Sequence, residues 1–311
     1  MMMNNDKKDC NKIKSRGFVT IATGAVKYHK MAYLLMVSYK LTSKNPCRFA
    51  VITDKKSKYT DSFDDVVVDS NATRTYMDKV DLLKNAPYDE NIFIDADCIA
   101  FRDLNEYWNV FATASDFSCF GKVFSINSNG TGWYSIDKLG KYKDSVSDVL
   151  GVHGGIYYFR KCETCDSMYQ ISHEIIENYS DLGFTRFNKP ADEPVLALAM
   201  AIHHCKPVEA ETHHYVWLRR GKNIRADFFR NYLSYDFNNG YTDKGLMLHF
   251  GTSHTIIPLY IKESRKVLFQ WRNKRSWNYT ERMLYTVLSY VQATILMICF
   301  SYKKVLKIFK L

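Results

Sequence analysis

The chain has 311 residues, of which 46% are hydrophobic and 15% aromatic, and its formal net charge is +10. So large an apolar fraction excludes a disordered chain and supports a substantial core in one large domain, with or without an appendage. The eight cysteines have no repeating spacing, and no second pair follows Cys162 and Cys165 at zinc-finger spacing. We therefore expect reduced, buried thiols in a cytosolic protein.

Strand-like and helix-like segments alternate through the first hundred residues. In chain order they are a strand at 17–23, a helix at 28–41, strands at 47–54 and 64–69, a helix at 76–85 and a strand at 91–95. The segment before them, residues 1–16, is polar and has no apolar run, so we expect a flexible amino terminus without a secretory signal. This order predicts an α/β fold with a mostly parallel sheet and helices on its faces.

The second half of the chain is less regular. Residues 154–160 read as a strand, and residues 162–179 carry apolar side chains on one helical face. A further helix is predicted from Asp192, with Pro194 in its first turn. A buried strand at 245–250 contains His249.

Polar residues end three of the predicted parallel strands, namely Thr20 and Thr23, Asp54, and Asp95 with Asp97. Ligands of such sheets bind beyond the carboxyl ends of the strands, so a nucleotide is expected there. No Gly-x-Gly-x-x-Gly follows the first strand and no Gly-x-x-x-x-Gly-Lys occurs, which disfavours a dinucleotide cofactor and a phosphate-binding loop of that type.

Asp95 and Asp97 form the single Asp-x-Asp of the sequence, directly after an apolar strand. Side chains at positions i and i+2 of a strand point to the same side, so the two carboxylates can reach one point in space. Hard divalent cations prefer such oxygen ligands. The alternative interpretation is a capped turn, because Asp is common where strands end.

The segments "FVTIATG", "IFIDADC" and "HGGIYYF" occur in an order and at spacings that resemble nucleotide-sugar glycosyltransferases of the GT-A fold. The glycogenin-like group and bacterial enzymes of cell-surface polysaccharide synthesis are the most similar. The resemblance covers about residues 17–255. It implies that Asp95 and Asp97 hold Mn²⁺ (or Mg²⁺) against the donor diphosphate and that His249, in "LHFGTSH", is the third ligand. Two carboxylates and one neutral imidazole suit Mn²⁺ better than Zn²⁺.

The same resemblance implies a set of donor-binding residues around the metal. They are Thr20, Ala22, Thr23, Asp54, Lys79, Asp95, Ala96, Asp97, Gly154, Gly155, Gly251 and His254. Asp192 and Glu193 are the implied catalytic residues beside the transferred sugar. The alternative for these two acids is a pair of helix N-terminal charges.

This sequence departs from the family pattern at three places. His153-Gly154-Gly155 replaces an Asn-x-Gly, and Asp192-Glu193 replaces an Asp-Gln. The His249 motif lacks the usual Lys-Pro-Trp ending, which leaves the lysine's phosphate contact to another residue, for which His254 is a candidate.

Function follows from the resemblance as an expectation. A metal-dependent glycosyltransferase would move a sugar from a nucleoside-diphosphate sugar, UDP being favoured by the resemblance, to a cell-surface glycan or lipid-linked acceptor. The bound metal would stabilise charge on the departing diphosphate. The alternatives are a non-catalytic sugar-nucleotide sensor or scaffold, a sugar-nucleotide nucleotidyltransferase and a phosphohydrolase. No nucleic-acid partner is expected.

The carboxy-terminal segment, residues 266–311, differs in composition from the predicted domain at 17–265. Residues 283–302 carry no charge, and basic residues flank them on both sides. Apolar residues of this run fall near one helical face and continue into the lysine-rich end. We expect a basic amphipathic helix that docks on the membrane surface, which would make the protein cytoplasmic and peripheral on the inner face. A helix that spans the bilayer and a plain core helix are the alternatives.

Overall fold

A computed structural model describes most of the chain. It covers residues 15–125, 133–184, 187–209, 215–219, 221–237, 240–242 and 245–308. The first 14 residues, which belong to the predicted flexible terminus, lie outside this description, as do the last three of the tail.

Thirteen strands and seven α-helices are described. The strands are β1 Arg16–Ile21, β2 Arg48–Thr53, β3 Asp65–Val68, β4 Glu90–Ile94, β5 Cys98–Ala100, β6 Phe117–Phe124, β7 Val149–Arg160, β8 Val208–Glu209, β9 Tyr215–Trp217, β10 Lys222–Asp227, β11 Tyr232–Phe237, β12 Gly240–Thr242 and β13 Met247–His249. The helices are α1 Val26–Thr42, α2 Leu82–Asn85, α3 Glu106–Val110, α4 Glu163–Glu177, α5 Asp192–Ile202, α6 Pro258–Asn273 and α7 Tyr279–Ile308.

Seven strands form the central sheet in the order β3-β2-β1-β4-β7-β6-β8. Four of its six neighbouring pairs are parallel, and the two pairs that involve β7 are antiparallel. The α/β fold with a mostly parallel sheet is therefore confirmed. Because β1 to β4 run in the same direction, their carboxyl ends meet at one edge, and this edge carries the predicted ligand site.

Helices cover both faces of this sheet. Successive residues of one strand enter opposite cores, as the two-residue period requires: Phe18 packs on the side of α1 and α6, and Val19 on the side of α4 and α5. Both side chains are fully buried. Strands buried on both faces explain why the predicted strands read as continuous apolar runs.

A second, three-stranded sheet brings a distant segment to the ligand edge. β13 pairs antiparallel with β5, which places His249 opposite Cys98, and parallel with β9, which places His249 opposite Trp217. Asp97 precedes β5 directly, and its carbonyl accepts a hydrogen bond from the Phe250 amide at 3.1 Å. A residue 152 positions along the chain therefore comes to lie beside the acid pair.

Two predicted element boundaries need correction. The predicted helix at 76–85 is a short 3₁₀ turn, Tyr76–Lys79, followed by the single turn α2. The carboxylate of Asp78 accepts hydrogen bonds from the loop before it, and such local bonds compete with a regular helix. Strand β7 begins five residues before the predicted strand at 154–160. Position 265/266, the predicted boundary between domain and tail, lies within α6, whose Val267 is fully buried, and the division into domain and tail stays a prediction.

The predicted tail helix is present as α7. It packs on α6 through a narrow stripe in which Ser289 and Ala293 are fully buried. The apolar stripe formed by Leu284, Val287, Leu288, Val291, Ile295 and Ile298 is exposed, between 38% and 63%. This exposure is inconsistent with a plain core helix. By length and composition alone, Tyr279–Tyr302 could also cross a membrane.

Candidate active site

The acid pair lies in a tight turn at the carboxyl end of β4. The amide of Asp95 donates to the carbonyl of Gly155 at 3.0 Å, and the amide of Cys98 donates back to the carbonyl of Asp95 at 3.2 Å. The turn thus leaves the central sheet and enters β5 of the three-stranded sheet within three residues. Both carboxylates are held at the ligand edge beside β7.

Asp95, Asp97 and His249 converge. Nε2 of His249 lies 3.0 Å from Oδ1 of Asp97 and 3.5 Å from Oδ2 of Asp95. The three side chains are at most 19% exposed. Thr252 donates from Oγ1 to Oδ2 of Asp97 at 3.1 Å, so the second oxygen of this carboxylate is also fixed.

Lys79 is the cation that faces this cluster. Its Nζ lies 2.9 Å from Oδ1 of Asp95 and 3.1 Å from Oδ2 of Asp192, and it donates to the carbonyl of Gly154 at 2.8 Å. Burial alone would lower the pKa of Lys79. The carboxylates of Asp192 and Asp95 act in the opposite direction and together more strongly, so the net result is a raised pKa. Lys79 therefore stays charged and links the metal-ligand candidates to the predicted catalytic acid.

The buried groups perturb one another's protonation. Burial raises the pKa of Asp95 above its ordinary value, and Lys79 only partly offsets it. Burial alone would raise the pKa of Asp97 too. The adjacent His249 imidazole outweighs this effect, so the pKa of the Asp97 carboxyl is lowered. Burial lowers the pKa of His249, whereas the carboxylates beside it raise the pKa more strongly. Strong opposing shifts in a cleft are typical of functional sites.

The residues present fit a hard divalent cation. Oδ1 of Asp97 is buried and faces Nε2 of His249 at 3.0 Å, and Oδ2 of Asp95 lies 3.5 Å from the same nitrogen. Within the described residues, Asp97, Cys98 and His249 have ligand atoms that all lie within 4.8 Å of one another. Burial raises the pKa of the Cys98 thiol well above its ordinary value, so the neutral thiol is a poor ligand.

A cleft of about 370 Å³ opens next to this cluster. Five residues predicted from the sequence line it: Thr23, Lys79, Asp95, Ala96 and Asp97. Tyr28, Arg74, Tyr76 and Thr252 also line it. A cleft of this size, with basic groups, acids and aromatic rings, has the chemistry to hold a nucleoside diphosphate.

Seven of the twelve predicted donor contacts do not line the cleft, namely Thr20, Ala22, Asp54, Gly154, Gly155, Gly251 and His254. Thr20 and Ala22 are fully buried and do not line the cleft. The side chains of Thr20 and Ala22 pack in the core. Their positions therefore do not favour contact with a donor in the cleft. Asp54 lies beside the cleft, where Oδ1 accepts from the Gly24 amide at 3.1 Å and Oδ2 lies 2.9 Å from Nε of Arg74.

Gly154 permits a close approach that a side chain would block. A Cβ at this position would come within 2.8 Å of Oδ2 of Asp192 and of the Tyr157 hydroxyl. The Gly154 amide donates to Oε1 of Glu193 at 2.8 Å. Burial, with Asp192 beside it, raises the pKa of Glu193 to about 7. Asp192 and Glu193, in the first turn of α5, are therefore brought to the inner side of the same site.

The loop after β13 carries the remaining predicted residues. Gly251 has φ +71°, in the left-handed region that favours glycine, and this turn starts the 3₁₀ segment Thr252–His254. Oγ of Ser253 lies 3.1 Å from Nδ1 of His254. His254 does not line the cleft, so its replacement of a phosphate-binding lysine stays a prediction.

Sequence reasoning missed Arg74, because a lone arginine in a polar loop carries no motif. Arg74 has φ +62° and is held by Asp78, whose carboxylate accepts from the Arg74 amide at 3.1 Å, the Thr73 amide at 2.6 Å and the Thr23 hydroxyl at 2.8 Å. A left-handed backbone at a non-glycine residue is costly and clusters at functional sites. These bonds hold Arg74 at the cleft.

Comparison with known proteins supports the fold assignment. No family model and no curated protein matches the sequence. The galactosyltransferase LgtC, solved with donor and acceptor sugar analogues, is similar with a TM-score of 0.54 at 11% identity, over 86% of this chain and 99% of that chain. An active-site mutant of LgtC matches with a TM-score of 0.51 at 13% identity, over 76% of this chain and 87% of that chain.

The bifunctional glycosyltransferase WbbM, without ligand, is similar with a TM-score of 0.51 at 13% identity. The match covers 84% of this chain and 50% of WbbM. At such low identity the likeness establishes architecture. The chain therefore has the GT-A fold that LgtC and WbbM share, with its polar cluster at the ligand edge of the sheet.

Proposed function

We propose that the protein is a metal-dependent glycosyltransferase that uses a nucleoside-diphosphate sugar as donor. The observation that carries the proposal is the convergence of Asp95, Asp97 and His249 beside the 370 Å³ cleft. His249 lies within 3.5 Å of both carboxylates although it is 152 positions from Asp97 along the chain, which supports the proposed metal site. The fold, which this chain shares with glycosyltransferases of solved structure, supports the same conclusion.

Asp95, Asp97 and His249 would hold Mn²⁺ or Mg²⁺. When bound, such a cation supplies Lewis-acid stabilisation of the negative charge that gathers on a departing diphosphate. Thr252 orients Asp97 for this task through its 3.1 Å hydrogen bond, and such supporting contacts tune metal affinity.

Donor binding is assigned to the cleft. Tyr28 and Tyr76 offer aromatic surface to a nucleobase, and Arg74 and Lys79 offer cations to the phosphates. The resemblance to known glycosyltransferases favours UDP as the nucleotide. Thr23 lines the cleft with its hydroxyl already donated to Asp78, so it contributes shape and its backbone.

Asp192 and Glu193 are assigned to the sugar subsite. Lys79 fixes Asp192 from one side and the Tyr157 hydroxyl, at 3.3 Å, from the other. The Gly154 amide orients Glu193. A pKa of about 7 lets Glu193 hold or release a proton near neutral pH, which suits a group that contacts sugar hydroxyls.

The acceptor is proposed to be a cell-surface glycan or a lipid-linked sugar, reached from the inner membrane surface. The exposed apolar stripe of α7 and the basic residues around it support docking in the headgroup plane. A surface-docked enzyme would meet a membrane-bound acceptor without crossing the bilayer.

Turnover of a panel of UDP-sugars by the full-length protein, with Mn²⁺ or with EDTA, tests the proposal. We expect slow Mn²⁺-dependent UDP release from one donor and a loss of at least about a hundredfold in Asp97→Asn, because one ligand of the charge-stabilising cation is removed. Asp144→Asn, at an exposed aspartate away from the cleft, should leave the rate unchanged. Donor binding without release in any condition would instead favour a sugar-nucleotide sensor.

A further inference from the structure

A second cavity, of about 390 Å³, lies at the junction of α6 and α7, next to the turn that follows β10. We call it the junction cavity. Six of its lining residues carry the argument: Asp227, Phe229, Arg230, Trp277, Tyr279 and Arg282. It is separate from the donor cleft, with which it shares no lining residue.

The junction cavity has an excess of positive charge. Oδ1 of Asp227 lies 2.8 Å from Nζ of Lys266, which also lies 3.0 Å from Oε1 of the buried Glu263, and Oδ2 of Asp227 lies 3.7 Å from Nε of Arg230. Arg282 has no ion pair within the ranges that the structure describes. The charged residues that line the cavity are therefore two arginines, Arg230 and Arg282, and one aspartate, Asp227, and this net positive charge favours an anion.

Aromatic packing makes the wall of this cavity rigid and leaves one donor unsatisfied. The Trp277 ring lies 5.3 Å from the ring of Phe229 and 5.1 Å from the ring of Tyr285, which fixes it between the turn after β10 and α7. Its Nε1 is buried and makes no hydrogen bond to any described residue. A buried donor without a partner is costly, and an acceptor oxygen in the cavity would satisfy it.

The position of the junction cavity identifies the source of the anion. It lies at the amino-terminal end of α7, and the exposed apolar stripe begins at Leu284, two residues after Arg282. Tyr279, 77% exposed, lies at the same end, and tyrosine is enriched at headgroup level in membrane proteins. A bilayer that takes up the stripe would bring its phosphates to this level.

We infer that the junction cavity binds the phosphate of an anionic phospholipid headgroup through Arg230, Arg282 and the indole N–H of Trp277. The inference rests on the proposed membrane docking of α7. It adds a specific headgroup site to a docking mode that otherwise depends on apolar contact and diffuse charge. The planar guanidinium matches two phosphate oxygens, whereas lysine offers a point charge.

Vesicle binding by the full-length protein tests the site with charge-preserving variants. Vesicles of phosphatidylcholine with about 30% phosphatidylglycerol are compared with pure phosphatidylcholine at constant ionic strength. We expect the Arg230→Lys/Arg282→Lys pair to bind the anionic vesicles at least about tenfold more weakly, because the bidentate contacts are lost while the charge remains. Trp277→Phe should weaken the same binding, since it retains the ring and removes the N–H.

The matched control is the Arg225→Lys/Arg272→Lys pair, which changes two exposed arginines outside the cavity lining. It should bind within about twofold of the wild type. If the cavity pair also stays within about twofold, diffuse charge alone explains binding and the inference is wrong. Displacement of the vesicles by about 10 mM inorganic phosphate would also overturn it, by identifying a site for free phosphate.

Donor turnover in solution, measured on the same preparations, separates this inference from the proposed function. Arginine-dependent vesicle binding without any UDP release would retain the headgroup site and contradict the glycosyltransferase. UDP release, together with vesicle binding that the Arg230→Lys/Arg282→Lys pair leaves unchanged, would retain the glycosyltransferase and contradict the headgroup site. Absence of wild-type binding to either vesicle would overturn both the docking of α7 and the headgroup site.

Discussion

The donor cleft and helix α7 distribute polar and apolar side chains in opposite ways. At and beside the cleft, three acids, a lysine and a histidine are withdrawn from water and form a chain of contacts in which neighbouring groups lie within 3.5 Å of each other. On α7, twelve large hydrophobic residues are exposed in the part of the helix that the structure describes, including the six of the apolar stripe. Folding alone favours neither arrangement, since buried charges cost free energy and exposed apolar area forgoes burial. Each region therefore points to a ligand that is absent from the isolated chain.

The largest effect is expected where the buried charges depend on one cation. Lys79→Met leaves Asp95 and Asp192 without their shared counter-ion, which should lower the free energy of unfolding by about 3 kcal/mol. Donor turnover should fall as well. Thermal melts with and without Mn²⁺ check this, and we expect Mn²⁺ to stabilise the variant more than the wild type. Lys56→Met, at an exposed lysine, is the control; equal loss in both variants would contradict the assigned role.

The α7 side of the comparison is tested by making the exposed stripe polar. Val287→Asn/Val291→Asn/Ile295→Asn should reduce vesicle binding by about a hundredfold, because the apolar area that enters the headgroup region is lost. The unfolding free energy should change by less than about 1 kcal/mol, since these side chains are already exposed. Ala293→Asn, on the buried stripe, should instead destabilise the protein. Undiminished vesicle binding in the triple variant would refute docking through the stripe.

A smaller effect is expected at the edge of the cleft. Arg74→Ala removes a cation from the donor-phosphate side while leaving the metal cluster intact, so KM for the donor should rise by about tenfold with little change in kcat. Steady-state kinetics over a range of donor concentrations separate the two parameters. Arg225→Ala, at an exposed arginine outside the cleft, should change neither. A change in kcat alone would argue against a role in donor binding.

The smallest effect concerns the pH dependence of stability. Because the pKa of Glu193 is raised to about 7 in the folded protein, the folded state binds more protons than the unfolded state between pH 4.5 and 7. Its contribution to stability is complete at low pH and is lost as pH rises through 7. Glu193→Gln removes this loss, so the melting temperature of the variant relative to wild type should be higher at pH 8 than at pH 5. Glu177→Gln, at an exposed glutamate, should show no such difference.

Much of the fold was predictable because the strands of the parallel half are buried on both faces. Phe18 and Val19 enter opposite cores, so the apolar run at 17–23 could be recognised without an alternating pattern. The acid pair was predictable for the same reason, since Asp95 follows such a strand. By contrast, the turn at 76–79 depends on hydrogen bonds to Asp78 from residues that no local pattern connects.

The rest of the site required the tertiary structure. Lys79 faces Asp192 across 113 positions of the chain, and Arg74 reaches the cleft only because its loop is held in a left-handed conformation. Helix periodicity identified the apolar stripe of α7, but not which face would meet the domain. The stripe containing Ser289 and Ala293, rather than the more apolar one, packs on α6, because small side chains allow two helices to approach closely.

Diffraction from crystals soaked with MnCl₂ and UDP tests the account most directly, because manganese can be located by its anomalous scattering. The account predicts one anomalous peak at the cleft, within bonding distance of carboxylate oxygens of Asp95 and Asp97 and of Nε2 of His249, with the diphosphate completing its coordination. A manganese peak elsewhere, with Lys79 still paired to Asp95, would contradict it.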